Sequence, residues 1–236
     1  CYNIADTLIV GQCIGANALA AVGSAYTLMV FLISILLGLS MGSGTVFSLQ
    51  YGAGDLSALR RSIYVSLLLI GTVTILLNVA VFLWLDPILR WLQVPYDIYS
   101  LMRNYLWIIF WGIVFTFLYN FYAALLRAVG DSVTPLWFLA VSVVLNIGLD
   151  LFLILVLDQG IEGAAVATVI AQGTAASGIL LYTYKIRPEL RLHREDMCFD
   201  RSSLREITSF STLTCVQQSV MNFGILMVQG LVNSFG

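Results

Sequence analysis

Long apolar runs, separated by short polar stretches, make up most of this chain. A helix that crosses a bilayer needs about 20 predominantly apolar residues. Six runs reach that length, and a shorter run precedes them; the seven cover residues 1–14, 18–49, 62–85, 101–126, 135–157, 161–184 and 207–236. The pattern predicts an all-α polytopic membrane protein whose first span is cut short.

The composition fits a protein that lies mostly inside a membrane. Hydrophobic residues make up 60% of the chain and charged residues only 10%, and the mean hydropathy is +0.94. Soluble domains carry about 25% charged residues, so this composition excludes a large soluble core. The lipid bilayer is therefore an expected partner, whereas the net charge of -2 gives no reason to expect nucleic acid.

The basic residues indicate which side of the membrane faces the cytoplasm. All but two of the 11 Lys and Arg residues fall in the loops on one side of the predicted spans, the exceptions being Arg90 and Arg103. By the positive-inside rule, that basic side is cytoplasmic. On it lies the longest polar segment, residues 186–205, which carries the only histidine, His193. We predict a solvated loop there, joining two membrane units, and a short surface helix at 86–97 on the opposite side.

The cysteines point to no chemistry. Cys1, Cys13, Cys198 and Cys215 have neither metal-ligand nor redox-motif spacing. Free cysteine is often buried as a small apolar residue, and we adopt this interpretation. The chain begins with Cys1 rather than Met, which we interpret as truncation of a longer sequence rather than as a lipidated N-terminus.

Asp150 is the most informative residue, because it lies in the middle of the apolar run 135–157. A carboxylate at membrane depth costs roughly 2.5–3.5 kcal/mol on insertion scales unless it is paired, hydrated or protonated. Asn146 lies one helical turn before it, so the amide and the carboxyl share a face. A second acid, Asp6, also has apolar neighbours. Both acids are therefore functional-site candidates.

The polar residues inside the predicted spans form a candidate ion-coupling site. They are Tyr2, Asp6, Asn146, Asp150 and Thr168. Carboxyl, amide and hydroxyl oxygens suit a proton or a small hard cation such as sodium, whereas zinc would require Cys or His. Burial, together with a nearby second acid, favours protonation of one carboxyl. We predict a coupling site, with sodium as one candidate at Asp6, Asn146, Asp150 and Thr168, and expect no cofactor; the alternative is that Asp150 only locks the bundle by pairing with a polar neighbour.

An intramembrane aspartyl protease is a remote alternative. Its G-x-G-D signature is matched by Gly52-Ala53-Gly54-Asp55, and Tyr96-Asp97 resembles its second motif. The two motifs occur here in reversed order and on opposite sides of the predicted membrane. A catalytic pair must act on one bond, so the arrangement disfavours this activity and we expect no enzyme.

Several strings together resemble the multidrug and toxic compound extrusion (MATE) transporter family, of the prokaryotic type. They are Tyr2-Asn3-Ile4-Ala5-Asp6-Thr7 with Val10-Gly11, Tyr51-Gly52-Ala53-Gly54-Asp55, Leu126-Arg127-Ala128 through Gly130-Asp131 to Thr134-Pro135, Asn146-Ile147 with Leu149-Asp150, and Gly163-Ala164-Ala165 with Ala167-Thr168. Their order and spacing make the combination specific, and it extends over essentially the whole chain.

The resemblance implies a two-lobed antiporter of the bacterial inner membrane that exports small amphipathic organic cations in exchange for protons or sodium ions. The family's ion site would fall on Asp6, Asn146, Asp150 and Thr168, with Tyr2 one turn before the first acid. The chain would then comprise a six-helix lobe at 1–185, a cytoplasmic interlobe loop at 186–205 and the first helix of a second lobe at 206–236, with the C-terminal lobe missing.

Two further functions remain open from the sequence. A flippase for lipid-linked precursors, from the related superfamily, would need a cationic cavity for phosphate groups, and the basic residues here lie only near the ends of the spans. A purely structural membrane bundle would leave Asp6 and Asp150 unexplained.

Overall fold

The computed structural model describes residues 2–91, 94–196 and 200–234, apart from the side chains of 2–5, 8, 27, 219 and 222–234. Over these residues the chain is almost entirely helical and has no strand, as the apolar pattern predicts. The α-helices are α1 (Tyr2–Cys13), α2 (Ala16–Gly52), α3 (Leu56–Trp91), α4 (Tyr96–Trp111), α5 (Ile113–Ala128), α6 (Val133–Leu151), α7 (Gly160–Ile186) and α8 (Arg201–Ser234). A π-helical turn, Phe152–Val156, directly follows α6.

Four helical segments among the described residues are long and apolar enough to cross a membrane. They are α2, α3, α7 and the continuous stretch Val133–Val156, while α4 and α5 form a fifth span if they are counted together. Helix α1 has only 12 residues, in keeping with the shortened first span that the sequence predicts. Helix α8 has 34 residues and contains most of the predicted seventh run.

The predicted fourth span is two helices rather than one, because the chain bends by 45° between α4 and α5. Gly112 lies at the bend, where a Cβ would come within 2.9 Å of Gln172 Oε1 and 3.0 Å of Val169 Cγ2. The bend interrupts the helical hydrogen bonds, and Asn78 Nδ2 compensates by donating to the carbonyl oxygen of Phe110 at 3.0 Å. Broken helices persist at membrane depth only where such partners satisfy the freed backbone groups.

The predicted surface helix at 86–97 is wrong, because α3 continues to Trp91 with Pro87 inside it. A proline in a helix interior costs about 3 kcal/mol. The neighbouring Leu85 and Leu89 are buried, and Arg103 Nε donates to Asp86 Oδ1 at 2.8 Å. These contacts hold the end of α3 against α4 and offset the cost of the proline.

The segment after α7 is docked on the bundle rather than freely solvated. It contains two 3-10 turns, Pro188–Leu190 and Arg194–Asp196, which pack against α3. Leu190 is only 4% exposed, and Arg60 Nε donates to Asp196 Oδ2 at 2.9 Å. Helix α8 begins at Arg201, within the range predicted as interlobe loop, and the division into two lobes stays a prediction.

Helix α2 lies at the centre of the bundle and packs against α3, α4, α5 and α8. Its contact with α8 is closest at two glycines. A Cβ on Gly42 would lie 2.6 Å from the backbone nitrogen of Ser211, and one on Gly38 would lie 2.9 Å from the Cα atom of Cys215. Close backbone approach of this kind is how helices pack when lipid provides no hydrophobic driving force.

Candidate functional site

Helices α1, α6 and α7 bring four of the predicted polar residues into one buried cluster. Asp6, Asn146, Asp150 and Thr168 are each at most 1% exposed. Thr168 Oγ1 donates to Asp6 Oδ2 at 2.8 Å, and Asn146 Nδ2 donates to Thr168 Oγ1 at 3.3 Å. The threonine therefore connects the acid of α1 to the amide of α6.

Small side chains on α7 allow the three helices to come this close. Ala164, Ala165 and Ala167 are fully buried on that helix. A Cβ on Gly163 would lie 3.2 Å from the Cβ atom of Leu153, at the π-helical turn that follows Asp150. π-Helical turns within α-helices are frequent at functional sites. The local sequence of α7 thus explains how the acids become neighbours.

The two carboxyls lie near each other, since each acts electrostatically on the other. In the part of the chain that the structure describes, neither forms an ion pair with Lys, Arg or His. Two buried carboxylates close to each other repel, so the pair requires a proton or another cation to be stable.

Several buried oxygens in the cluster have no hydrogen-bond donor among the described residues. They are Asp6 Oδ1, Asn146 Oδ1, both carboxyl oxygens of Asp150, and the hydroxyl of Tyr105. Buried oxygens are ordinarily satisfied, and each exception needs a reason. Two carboxyls with neutral amide and hydroxyl oxygens form a donor set that suits a proton or a small hard cation.

Tyr105 belongs to this cluster and was not predicted from the sequence. Its side chain is fully buried, and its hydroxyl lies within electrostatic range of both Asp6 and Asp150. It occurs in the aromatic-rich run 101–126, where no spacing distinguishes it from residues that only pack. Tyr2 was predicted to join the site; its backbone lies in α1, and its side chain lies outside the described residues.

The protease motifs have structural roles at opposite ends of the bundle. Asp55 Oδ1 accepts a hydrogen bond at 2.9 Å from the backbone N–H of Ala58, so it caps the start of α3. Asp97 is exposed in the first turn of α4. No group of three or more His, Cys, Asp or Glu residues that could hold a metal ion occurs over the described ranges.

Comparison with known proteins gives a consistent result. A family model described as MatE matches residues 1–152. The probable multidrug resistance protein YpnP of Bacillus subtilis is 34% identical over 235 residues, which cover 100% of this chain and 52% of that protein. The probable multidrug resistance protein NorM of Thermotoga maritima is 27% identical over 98% of this chain and 50% of its own length.

The fold is also similar to solved structures. A crystal structure of MATE in the bent conformation superposes with a TM-score of 0.91 at 22% identity, over 100% of this chain and 52% of that one. The inward-facing conformation of a multidrug resistance MATE family transporter of the MOP superfamily has a TM-score of 0.86 at 23% identity, over 92% of this chain and 49% of that one. The chain therefore spans about half the length of the relatives it matches.

Proposed function

Because this chain belongs to the MatE family, whose multidrug transporters are not enzymes, we propose that it provides the ion-coupling lobe of a secondary active antiporter. It is a multi-pass protein of the bacterial inner membrane. The proposed antiporter exports amphipathic organic cations in exchange for protons or sodium ions. Its first lobe would comprise residues 1–185, and α8 would open the second lobe.

The observation that carries this proposal is the buried pair of Asp6 and Asp150, for which the described residues offer no basic partner. A carboxylate inside a membrane is costly, so a purely structural bundle would gain from apolar residues in its place. A cation bound at the pair removes this cost. The cation can drive transport only if it binds two arrangements of the protein with different affinity. Because the pair lies where α1, α6 and α7 meet, a bound cation can favour one arrangement of these three helices.

The same oxygens support either coupling ion. For a proton, one carboxyl is neutralised and donates to the other. For sodium, the carboxyl oxygens of Asp6 and Asp150, the amide oxygen of Asn146 and the hydroxyl of Thr168 would provide ligands. The substrate is expected to leave when Asp6 and Asp150 bind the coupling cation again.

The decisive test uses the full-length protein that contains this chain, reconstituted in liposomes. Efflux of a fluorescent organic cation is measured under an imposed pH or sodium gradient. We expect Asp150→Asn to abolish gradient-driven efflux, and Asp97→Asn, at an exposed position of α4, to leave it intact. Because the amide removes a buried charge, the unfolding temperature of Asp150→Asn should be equal to or above that of the wild type. Undiminished efflux in Asp150→Asn would overturn the proposal.

The flippase alternative is tested in the same liposomes. The basic side chains of the described residues lie toward the ends of the predicted spans, so they form no cationic cavity for a lipid phosphate at membrane depth. Scrambling of a phosphate-linked lipid without efflux of the organic cation would favour the flippase instead.

A further inference from the structure

A second polar cluster lies at the bend between α4 and α5, apart from the acid pair. Thr116 Oγ1 lies 3.0 Å from Gln172 Oε1 and 3.3 Å from the carbonyl oxygen of Gly112. Asn120 Nδ2 donates to the carbonyl oxygen of Thr116 at 2.8 Å. Gln172, Thr116 and Asn120 thus form a connected polar row, and the ion site described above includes none of them.

This polar row begins close to the acid pair and leads toward the cytoplasm. Gln172 follows Thr168 by one turn of α7, so the two share a face and lie about 6 Å apart along the helix axis. Thr116 and Asn120 occupy successive turns of α5, which runs from the bend toward Arg127 on the basic, cytoplasmic side. Asn120 is therefore nearer the cytoplasm than Thr116.

A small cavity lies beside the first two members of the polar row. Its volume is about 10 Å³, and six apolar side chains line it together with Thr116 and Gln172. A cavity of that size holds about one water molecule if polar groups are present to bind it. Thr116 and Gln172 supply those groups in a wall that is otherwise apolar.

The hydrogen bonds of Thr116 suit a relay better than a fixed support. Its hydroxyl has one proton to donate, yet it faces two acceptors, the Gly112 carbonyl and the Gln172 side chain. The hydroxyl can therefore switch partners without any change in backbone. All three side chains of the polar row are half-buried, and polar groups at membrane depth face an interior cavity rather than lipid.

We propose that the polar row is the route by which the coupling cation passes between the acid pair and the cytoplasm; this rests on the proposed antiport function. A proton leaves the carboxyl oxygen, its electron pair stays on the carboxylate, and the proton passes by way of the Thr168 hydroxyl and water to the Thr116 hydroxyl. Each hydroxyl gives up its own proton as it gains the next, and cytoplasmic water receives the last. Gln172 positions Thr116. A sodium ion would use the same oxygens as transient ligands.

The test separates cation binding from cation release in the full-length protein. Thr116→Val removes the hydroxyl with little change in shape, whereas Thr116→Ser retains it. Thr174→Val is the matched control, because Thr174 is exposed on α7 and donates to the carbonyl of Ile170 within its own helix at 2.9 Å. Binding is measured as the shift in unfolding temperature with proton or sodium concentration, and release as the single-turnover rate after a pH or sodium jump in liposomes.

We expect Thr116→Val to bind the cation as the wild type does and to release it roughly tenfold more slowly, equivalent to a barrier about 1.4 kcal/mol higher. Thr116→Ser and Thr174→Val should release it at the wild-type rate. Wild-type release in Thr116→Val, together with loss of transport in Asp150→Asn, would overturn this route alone. Gradient-driven efflux and cation-dependent stabilisation that both persist in Asp150→Asn would instead overturn the antiport function beneath it.

Discussion

Aspartate has three distinct roles in this protein, and its surroundings decide which one it takes. Asp6 and Asp150 lie buried near each other, and Asp6 accepts a hydrogen bond from the neutral hydroxyl of Thr168. Asp196 accepts a hydrogen bond from the cation of Arg60 at 2.9 Å. Asp131, in the turn before α6, accepts from the backbone N–H of Thr134 at 3.1 Å and thereby caps that helix. Only the first environment leaves the charge without compensation, which is why we assign the coupling function there.

The cap at Asp131 gives a stability that depends on pH. Burial opposes ionisation of this carboxyl, but hydrogen bonds from Thr134 and the charge of Arg187 outweigh it, so the pKa of Asp131 lies below its ordinary value. A lowered folded-state pKa stabilises the protein above the unfolded-state value of about 3.9. That stabilisation is lost as the pH falls through the folded-state pKa.

We therefore expect Asp131→Ala to lower the free energy of unfolding by about 1 kcal/mol at pH 7, as loss of a helix cap usually does. The difference from the wild type should shrink as the pH falls below about 4. Thermal unfolding in detergent between pH 3 and pH 8 measures it. Asp97→Ala, at an exposed position, should change stability by less than about 0.5 kcal/mol. An Asp131→Ala deficit as large at pH 3 as at pH 7 would contradict this account.

At the residue scale, the sequence predicts which side chains have a chemical role better than it predicts which residues they contact. Asp150 is evident because it interrupts an apolar run, and Asn146 because four residues make one helical turn. The contact between Thr168 and Asp6 joins residues 162 positions apart, and spacing along the chain cannot reveal it; family resemblance is what pointed to it. The sequence does not predict Tyr105 as a site residue for a different reason. It lies among many aromatic residues, and nothing in its spacing distinguishes its hydroxyl from side chains that only pack.

At the element scale, single residues decide where helices bend and how closely they pack. The bend at Gly112 divides a run that hydropathy alone treats as one span, because hydropathy counts apolar residues and does not detect a lost backbone hydrogen bond. At Pro87 the prediction fails in the opposite direction, because the sequence predicts a break and α3 continues through it. There the buried leucines on either side stabilise a helix that the local proline rule would end.

The contact between α2 and α8 gives a prediction at this scale. Gly42→Ala places a Cβ against the backbone of Ser211, with the nitrogen of that residue 2.6 Å away. A backbone atom cannot rotate aside, so the two helices must separate, at a cost of about 1–3 kcal/mol. Gly23→Ala, on the same helix, meets nothing within 4 Å and should stabilise by about 0.5–1 kcal/mol. The measurement is the unfolding temperature of each variant; equal effects would show that α8 does not pack closely on α2.

At the scale of the whole molecule, the segment between α7 and α8 attaches to the bundle at both of its ends. Arg187 lies 3.6 Å from Asp131 at the first end, and Asp196 pairs with Arg60 at the second. High charge density predicts a solvated loop, but Arg187 and Asp196 pair with residues of the bundle, and Leu190 is buried. Most of the described part of this segment therefore packs against the bundle.

A charge exchange tests this attachment. Arg60→Asp and Asp196→Arg should each lower the free energy of unfolding by about 1–3 kcal/mol, because each leaves a partly buried charge without its partner. Each should also speed proteolysis within residues 187–196. The double variant restores an ion pair and should recover much of both properties. Additive losses in the double variant would mean that the pair contributes no coupling between the segment and α3.

Because a π-helical turn follows Asp150, a one-residue deletion after this acid should have a different effect from a deletion before it. The hydrogen bonds of this turn reach one residue farther than those of an α-helix, as in the bond from Leu157 N–H to the Phe152 carbonyl at 3.2 Å. A one-residue deletion within Phe152–Val156 can be absorbed by tightening to ordinary α-helix. The same deletion between Asn146 and Asp150 would rotate the carboxyl by about 100° away from Asp6. A one-residue deletion should therefore be tolerated after Asp150 but not between Asn146 and Asp150.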